Sequence, residues 1–302
     1  MSEGLRVLRL GLVGFGRWGR NYVRAAAAAG NAQVCEVVLH QGSLRAEEAR
    51  SQGLVVRHSV DDLTVDAVIF AAHPSSAPDV CERLLRRGIP VMVEKPAALS
   101  VDAAWRIVDA AESAKTVCLV AHQHLFAIAY EHIRSQAQID GDTRIMTRAG
   151  GPGPHRDYPP LWDYGPHDAA MVWGLVGADP VHIGMKQRQG ADGSHIWIAM
   201  EFAGGASAHC EIWNDGAPKA RHFLVHTAAG DWIYDDLDPQ GRLQFQGRYL
   251  DIPYEPPLTR ALRCFADAVI RGGTDDDRFG AHWALRVADW LSRAQDAVTP
   301  VA

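Results

Sequence analysis

Residues 11–19 read Gly11-Leu12-Val13-Gly14-Phe15-Gly16-Arg17-Trp18-Gly19, and the interpretation of the whole chain turns on them. An apolar segment, Leu5 to Val13, leads in; an alanine-rich run, Tyr22 to Ala29, leads out and stops at Gly30. Strand, glycine turn and helix is the order this predicts. Gly14, Gly16 and Gly19 fall at the G-x-G-x-x-G spacing of a dinucleotide site. Gly14 permits the tight turn, Gly16 lets a pyrophosphate approach the backbone, and Gly19 lets the helix pack closely on the strand. The helix N-terminus then offers N–H groups and the positive end of its dipole to phosphates. Glycine triplets also occur in ordinary turns; this one gains weight from its place at the head of an alternating β/α pattern.

That pattern continues for about a hundred residues. Strands are expected at Gln33–Leu39, Leu54–Arg57, Val65–Ala72, Pro90–Val93 and Thr116–Ala121. Helices are expected at Arg45–Gln52, Asp79–Arg87 and Ser100–Ser113, with Ser100 as an N-cap. Short, continuous apolar strands between helices imply a parallel, doubly wound sheet buried on both faces. Right-handed connections put the glycine turn at the carboxyl edge of that sheet.

Beyond residue 121 the texture changes, so the chain divides into residues 1–121 and 122–302. Tyr130–Ser135 reads as a helix, Arg148–Pro160 as a Gly/Pro loop, and Trp162–Val176 as a longer helix. Val181–Arg188, His195–Phe202, Ser207–Asn214, His222–Ala228 and Asp231–Tyr234 read as strands, with helices at Leu258–Arg271 and Phe279–Ala297. Ile196, Ile198, Met200 and Phe202 alternate with Trp197, Ala199 and Glu201, giving a sheet with two distinct faces. An apolar outer face would be covered by a partner, so a homo-oligomer is expected.

The 302 residues suffice for two domains with cores of their own. With 47% hydrophobic and 22% charged residues, the composition is that of an ordinary globular protein. A formal net charge of -6 and the lack of a long basic run argue against nucleic-acid binding. No apolar stretch approaches the roughly 20 residues of a membrane span, and Met1-Ser2-Glu3-Gly4 lacks a signal-peptide layout, so a cytoplasmic location is expected. Cys35, Cys81, Cys118, Cys210 and Cys264 are scattered and form no C-x-x-C pair; free thiols are expected.

Two further motifs join the glycine loop: Glu94-Lys95-Pro96 directly after the fifth strand, and Asp163-Tyr164-Gly165-Pro166-His167-Asp168 in the second half. Together they resemble the Gfo/Idh/MocA family of NAD(P)-dependent oxidoreductases, which includes glucose–fructose oxidoreductase and inositol dehydrogenase. The resemblance covers nearly the whole chain. It implies an N-terminal Rossmann domain and a C-terminal α+β domain with an open, mostly antiparallel sheet that commonly mediates dimers or tetramers. It also implies cofactor contacts from Gly14, Phe15, Gly16, Arg17, Trp18 and Gly19, from Ala72-His73-Pro74 after the fourth strand, and from Glu94 and Lys95.

Taken alone, Lys95 is a loop residue at the carboxyl end of a central strand. With the resemblance it becomes a donor to the reacting oxygen and to the nicotinamide ribose, with Pro96 restricting its backbone to extended geometry. Asp163 and His167 stand four apart, on one face if the helix has begun at Asp163. Pro166 suits only the first turn, which would place His167 near a helix N-terminus whose dipole keeps the ring neutral. His167 is then the expected general base for a substrate hydroxyl, with Asp163 orienting the ring or binding a neighbouring hydroxyl. Without a cofactor opposite, Asp163 and Asp168 would be capping acids and His167 a packed histidine; for Asp168 that reading is preferred.

His122 and His124 would face the same way from one strand, yet no third ligand at zinc-type spacing appears, so a metal is rejected. His122 is a candidate substrate contact. Arg148, His155, Arg156 and Tyr158 on the Gly/Pro loop could shape the substrate site or simply be solvated.

The chain departs from the pattern in three places. Where NAD binders carry an acid for the ribose 2′-hydroxyl stands His40, with Ser43 and Arg45 nearby, which favours NADP over NAD. Glu36 lies earlier in the strand and is a poor substitute. Ser75-Ser76-Ala77-Pro78 replaces a histidine often found after the fourth strand, and the chain is short for the family. The resemblance implies hydride transfer between NAD(P) and a CH–OH or ketone carbon of a sugar, sugar nucleotide or cyclitol. An imine or non-sugar carbonyl reductase, or a non-catalytic NAD(P)-binding sensor, remains open.

Overall fold

The computed structural model describes residues 7–153, 155–238 and 242–301. Leu5 and Arg6 of the expected first strand and Pro154 of the Gly/Pro loop lie outside the described residues, as does the Met1–Gly4 segment. The chain forms two compact units, residues 1–123 with 256–286, and 124–255 with 287–302.

In the first unit, strands β1 (Leu8–Val13), β2 (Ala32–Val38), β3 (Val55–Arg57), β4 (Ala67–Phe70), β5 (Val91–Val93) and β6 (Cys118–Val120) alternate with helices α1 (Gly19–Ala29), α2 (Ala46–Ser51), α3 (Ala77–Arg86) and α4 (Val101–Ala114). The sheet order is β3-β2-β1-β4-β5-β6 and every pairing is parallel. Each residue of Ala67–Phe70 and Val91–Val93 is buried, as strands covered on both faces must be. Ser100 caps α4 by accepting from the Ala103 N–H, 3.2 Å away, and Gly30 closes α1 in the left-handed region.

The second unit holds helices α5 (Ile128–Gln136) and α6 (Pro160–Val176) and a sheet of β7 (Arg144–Gly150), β8 (Pro180–Gly190), β9 (Gly193–Phe202), β10 (Ser207–Trp213), β11 (Ala220–Thr227), β12 (Gly230–Asp235), β13 (Leu243–Phe245) and β14 (Arg248–Tyr249). After helices α7 (Pro257–Arg271) and α8 (His282–Asp296), strand β15 (Val298–Pro300) completes it. The nine strands run β14-β13-β12-β11-β7-β10-β9-β8-β15. Pairings are antiparallel except β7 with β10 and β8 with β15. Ile196, Ile198, Met200 and Phe202 are buried; Ala208, Cys210 and Ile212 bury the same way on β10, under α6.

Three expectations change. The Gly/Pro loop starts later, because Arg144–Gly150 is a central strand: Ile145, Thr147 and Ala149 point inward, while the outward Arg144 and Arg148 masked the alternation. The division at residue 121/122 is not a single cut, because α7 returns to the first unit and packs on α1, with Asn31 Nδ2 donating to the Arg263 carbonyl (3.0 Å) and Asp267 Oδ1 (2.8 Å). The outer face of the second sheet is not simply apolar: Trp197 and Met146 share it with Arg148–Glu211, His195–Asp215 and His222–Asp235 pairs.

Candidate functional site

The glycine loop follows β1, and its backbone explains the residue types. Gly14 has φ 93°, and a Cβ there would lie 2.8 Å from the Ala71 carbonyl oxygen at the end of β4. A Cβ on Gly19 would collide with the Gly14 carbonyl, so glycine is what lets α1 start against β1. Beside Gly16 a Cβ would meet only Arg45 Nη1, 3.5 Å away, which leaves the room a diphosphate needs. A glycine-walled cradle under a helix N-terminus, with a guanidinium at its lip, fits a dinucleotide phosphate.

Ribose-side groups agree with this. His40 is exposed, with Nδ1 3.0 Å from the Gln41 carbonyl, and Ser43 Oγ accepts from the Arg45 N–H at 3.4 Å. Glu36 is buried and committed inward: Arg57 Nε donates at 2.8 Å and Thr64 Oγ1 at 2.6 Å. Burial works to raise its pKa, but those bonds outweigh it and hold the carboxyl below its ordinary value.

His73 ends the next connection, its Nδ1 2.7 Å from Ser75 Oγ, and Pro74 begins a short 3-10 turn. After β5 comes Glu94, whose carboxylate accepts from the Tyr22 hydroxyl of α1. Lys95 is half-buried and joined to Pro96 by a cis peptide. His122, fully buried against the Trp283 ring (6.0 Å between centroids), titrates at about 3: burial is the main cause and the Lys95 charge adds to it. His122 is therefore a neutral imidazole beside a cation.

In the second unit α6 carries the other motif. Asp163 and His167 do share one face, but His167 is not at the helix start. Pro160 occupies the first turn and Pro166 sits inside the helix, so His167 lies about two turns in and the dipole argument does not apply. Burial sets its surroundings instead: His167 is 3% exposed and meets the His124 ring edge-on, centroids 4.8 Å apart. Asp163, also buried, faces Arg156 Nε at 3.6 Å. His122 and His124 do not lie in one strand, since β6 ends at Val120 and His124 sits in the 3-10 turn Gln123–Phe126.

Arg148 lies on β7, where Nε donates to Glu211 Oε2 at 2.6 Å and its guanidinium stands over Trp213. Tyr158 is half-buried before α6. A small open pocket lies beside His167, lined also by His124, Arg148, Asp168, Arg221, Tyr234 and Asp236. Tyr234 and Asp236 went unnoticed in the sequence; the inward alternation of Trp232 and Tyr234 before two aspartates is the signal that could have found them. Among the described residues no group of three or more His, Cys, Asp or Glu gathers to hold a metal, and no helix is long and apolar enough to cross a membrane.

The comparisons agree with this architecture. Residues 8–122 match the family model for the Gfo/Idh/MocA proteins, described as an oxidoreductase family with an NAD-binding Rossmann fold. A solved structure from Magnetospirillum magnetotacticum MS-1 is 28% identical, covers 95% of this chain and 99% of its own, and superposes with a TM-score of 0.85. Rhizopine catabolism protein MocA of Rhizobium meliloti is 28% identical over 130 residues, 42% of this chain and 41% of that protein. The match thus spans less than half the length of that relative. A 4-carboxy-2-hydroxymuconate-6-semialdehyde dehydrogenase of Sphingobium sp. is 24% identical over 263 residues, covering 76% of this chain and 80% of its own. The fold is that of an NAD(P)-binding oxidoreductase. Over residues 8–122 the chain carries the NAD-binding Rossmann fold of the Gfo/Idh/MocA oxidoreductase family.

Proposed function

We propose that this protein is an NADP-preferring dehydrogenase or reductase acting on a CH–OH or ketone carbon of a polyhydroxylated substrate such as a sugar, sugar nucleotide or cyclitol. The single observation that carries the reading is the cradle at Gly14, Gly16 and Gly19 with the Arg45 guanidinium at its lip. When bound, the nicotinamide supplies the hydride acceptor or donor. Arg45 and Ser43 answer a 2′-phosphate, and the inward commitment of Glu36 removes the carboxylate that would repel one. Lys95 donates to the reacting oxygen and offsets charge developing there. His167 takes the hydroxyl proton in the oxidation direction, and Asp163, balanced by Arg156, orients a neighbouring hydroxyl.

The substrate class follows the family resemblance, and the polar lining near His167 suits hydroxyl groups. Likeness to the Sphingobium semialdehyde dehydrogenase over 76% of this chain favours a second reading, a non-sugar carbonyl substrate. Purified protein given NADPH or NADH with a panel of keto-sugars and open-chain unsaturated carboxylic semialdehydes separates them through the nicotinamide absorbance. Turnover on keto-sugars with NADPH is the expected result. Tight cofactor binding with no turnover anywhere, or with His167→Ala fully active, overturns the assignment. A homodimer or homotetramer through the second sheet is proposed alongside, tested by sedimentation.

A further inference from the structure

Three polar side chains in the second unit continue from His167 and have no part in the roles proposed above. His124 meets His167 at 4.8 Å between centroids, the rings 83° apart. His124 Nδ1 lies 3.3 Å from the Tyr234 hydroxyl, which donates to Asp236 Oδ1 at 3.1 Å. Arg242 Nη1 donates to that same oxygen at 2.9 Å. His167, His124 and Tyr234 are all buried, at 3%, 5% and 2% exposure, whereas the Asp236 side chain at the far end is 26% exposed.

Donor counting fixes the tautomer. The phenol has one hydrogen, and a carboxylate is its stronger acceptor. With that hydrogen on Asp236, Tyr234 Oη must accept from His124 Nδ1–H. Neutral His124 then carries its lone pair on Nε2. Burying a phenol and an imidazole side by side is costly unless they are hydrogen-bonded, and the bonds from His124 to Tyr234 and from Tyr234 to Asp236 meet that need.

We propose that His124, Tyr234 and Asp236 form a proton wire linking His167 to solvent. The proposal rests on the reading of His167 as the base. In the oxidation direction the substrate O–H bond breaks and its proton goes to His167. His167 passes a proton to His124 Nε2; His124 Nδ1–H passes its own to Tyr234 Oη; the Tyr234 hydroxyl hydrogen moves to Asp236 Oδ1. Asp236 then releases a proton to water. Each group ends neutral or charged as it began, with His124 reset by a flip of its ring and Tyr234 by rotation of its hydroxyl between turnovers. Burial raises the Asp236 pKa above its ordinary value, against the pull of Arg242, which makes it a better proton acceptor than an exposed aspartate.

The test uses the full chain and two kinds of readout. In the cofactor-free protein labelled with 15N-histidine, imidazole NMR should show His124 as the Nδ1–H tautomer, and Tyr234→Phe should shift it toward Nε2–H. In turnover, Tyr234→Phe and Asp236→Asn should lower kcat on the order of tenfold or more with KM little changed. Added imidazole or formate buffer should restore Asp236→Asn in a concentration-dependent way and leave the wild type alone. An Nε2–H tautomer in the wild type overturns the wire, as do wild-type rates in both variants while His167→Gln is inactive. Full activity in His167→Gln instead overturns the base assignment, and the wire with it, whatever the tautomer.

Discussion

Arg45 Nη1 lies 3.5 Å from the point a Cβ on Gly16 would occupy, and among the described residues no other atom beyond the adjoining chain comes within 4 Å of that point. A cation at the open lip of a phosphate cradle contributes one or two charge-assisted hydrogen bonds. Arg45→Ala should therefore weaken NADPH binding by about 10- to 100-fold and NADH binding by a few-fold. Calorimetric titration with each cofactor measures both. Equal losses for the two would mean that Arg45 serves the diphosphate alone, and the NADP preference would fall.

Gly19 faces the Gly14 carbonyl so closely that no side chain fits between them. Gly19→Ala must push α1 away from β1, against backbone that cannot rotate out of the way. Overpacking of this kind costs about 1–3 kcal/mol, and it distorts the loop that a phosphate would contact. Thermal unfolding should show a lower Tm, and cofactor affinity should fall further than in Arg45→Ala. A variant with wild-type Tm and affinity would show that the cradle is plastic.

His122 titrates at about 3 in the folded protein, against 6.5 for an ordinary imidazole. Between those values the unfolded chain binds a proton that the folded protein refuses. Stability from this group is thus fully present above 6.5 and is lost as the pH falls toward 3. His122→Phe, placed against Trp283, should flatten the decline of Tm across that interval. Parallel curves for variant and wild type would show that His122 is not buried neutral.

The stretch from β1 to β6 was legible because each signal there is local. A glycine triplet, a serine before a helix and apolar runs of four residues all speak through their own backbone, and β4 and α4 fall where their residues place them. The second unit depends on partners distant in sequence. Arg144 and Arg148 look solvated, and only their neighbours on β10 and β11 make the segment a central strand. Pro166 looks like a helix start until Pro160 takes that role. Tyr234 and Asp236 carry no motif, so their link to His124, 110 residues earlier, could not be read from spacing.

Lys95 and His122 are coupled, and that coupling can be read without a substrate. The ammonium is the second cause, after burial, of the low imidazole pKa. Lys95→Met keeps most of the side chain's length and removes the charge, so His122 should titrate higher in the variant yet stay below 6.5, because burial remains. If Lys95 also donates to the reacting oxygen, kcat should fall by about 10²- to 10⁴-fold while cofactor affinity changes far less. Histidine NMR over pH gives the first quantity and steady-state kinetics the second. An unmoved His122 resonance would place the ammonium away from the imidazole. A raised His122 pKa with unchanged kcat would keep the electrostatic pair and end the catalytic role of Lys95.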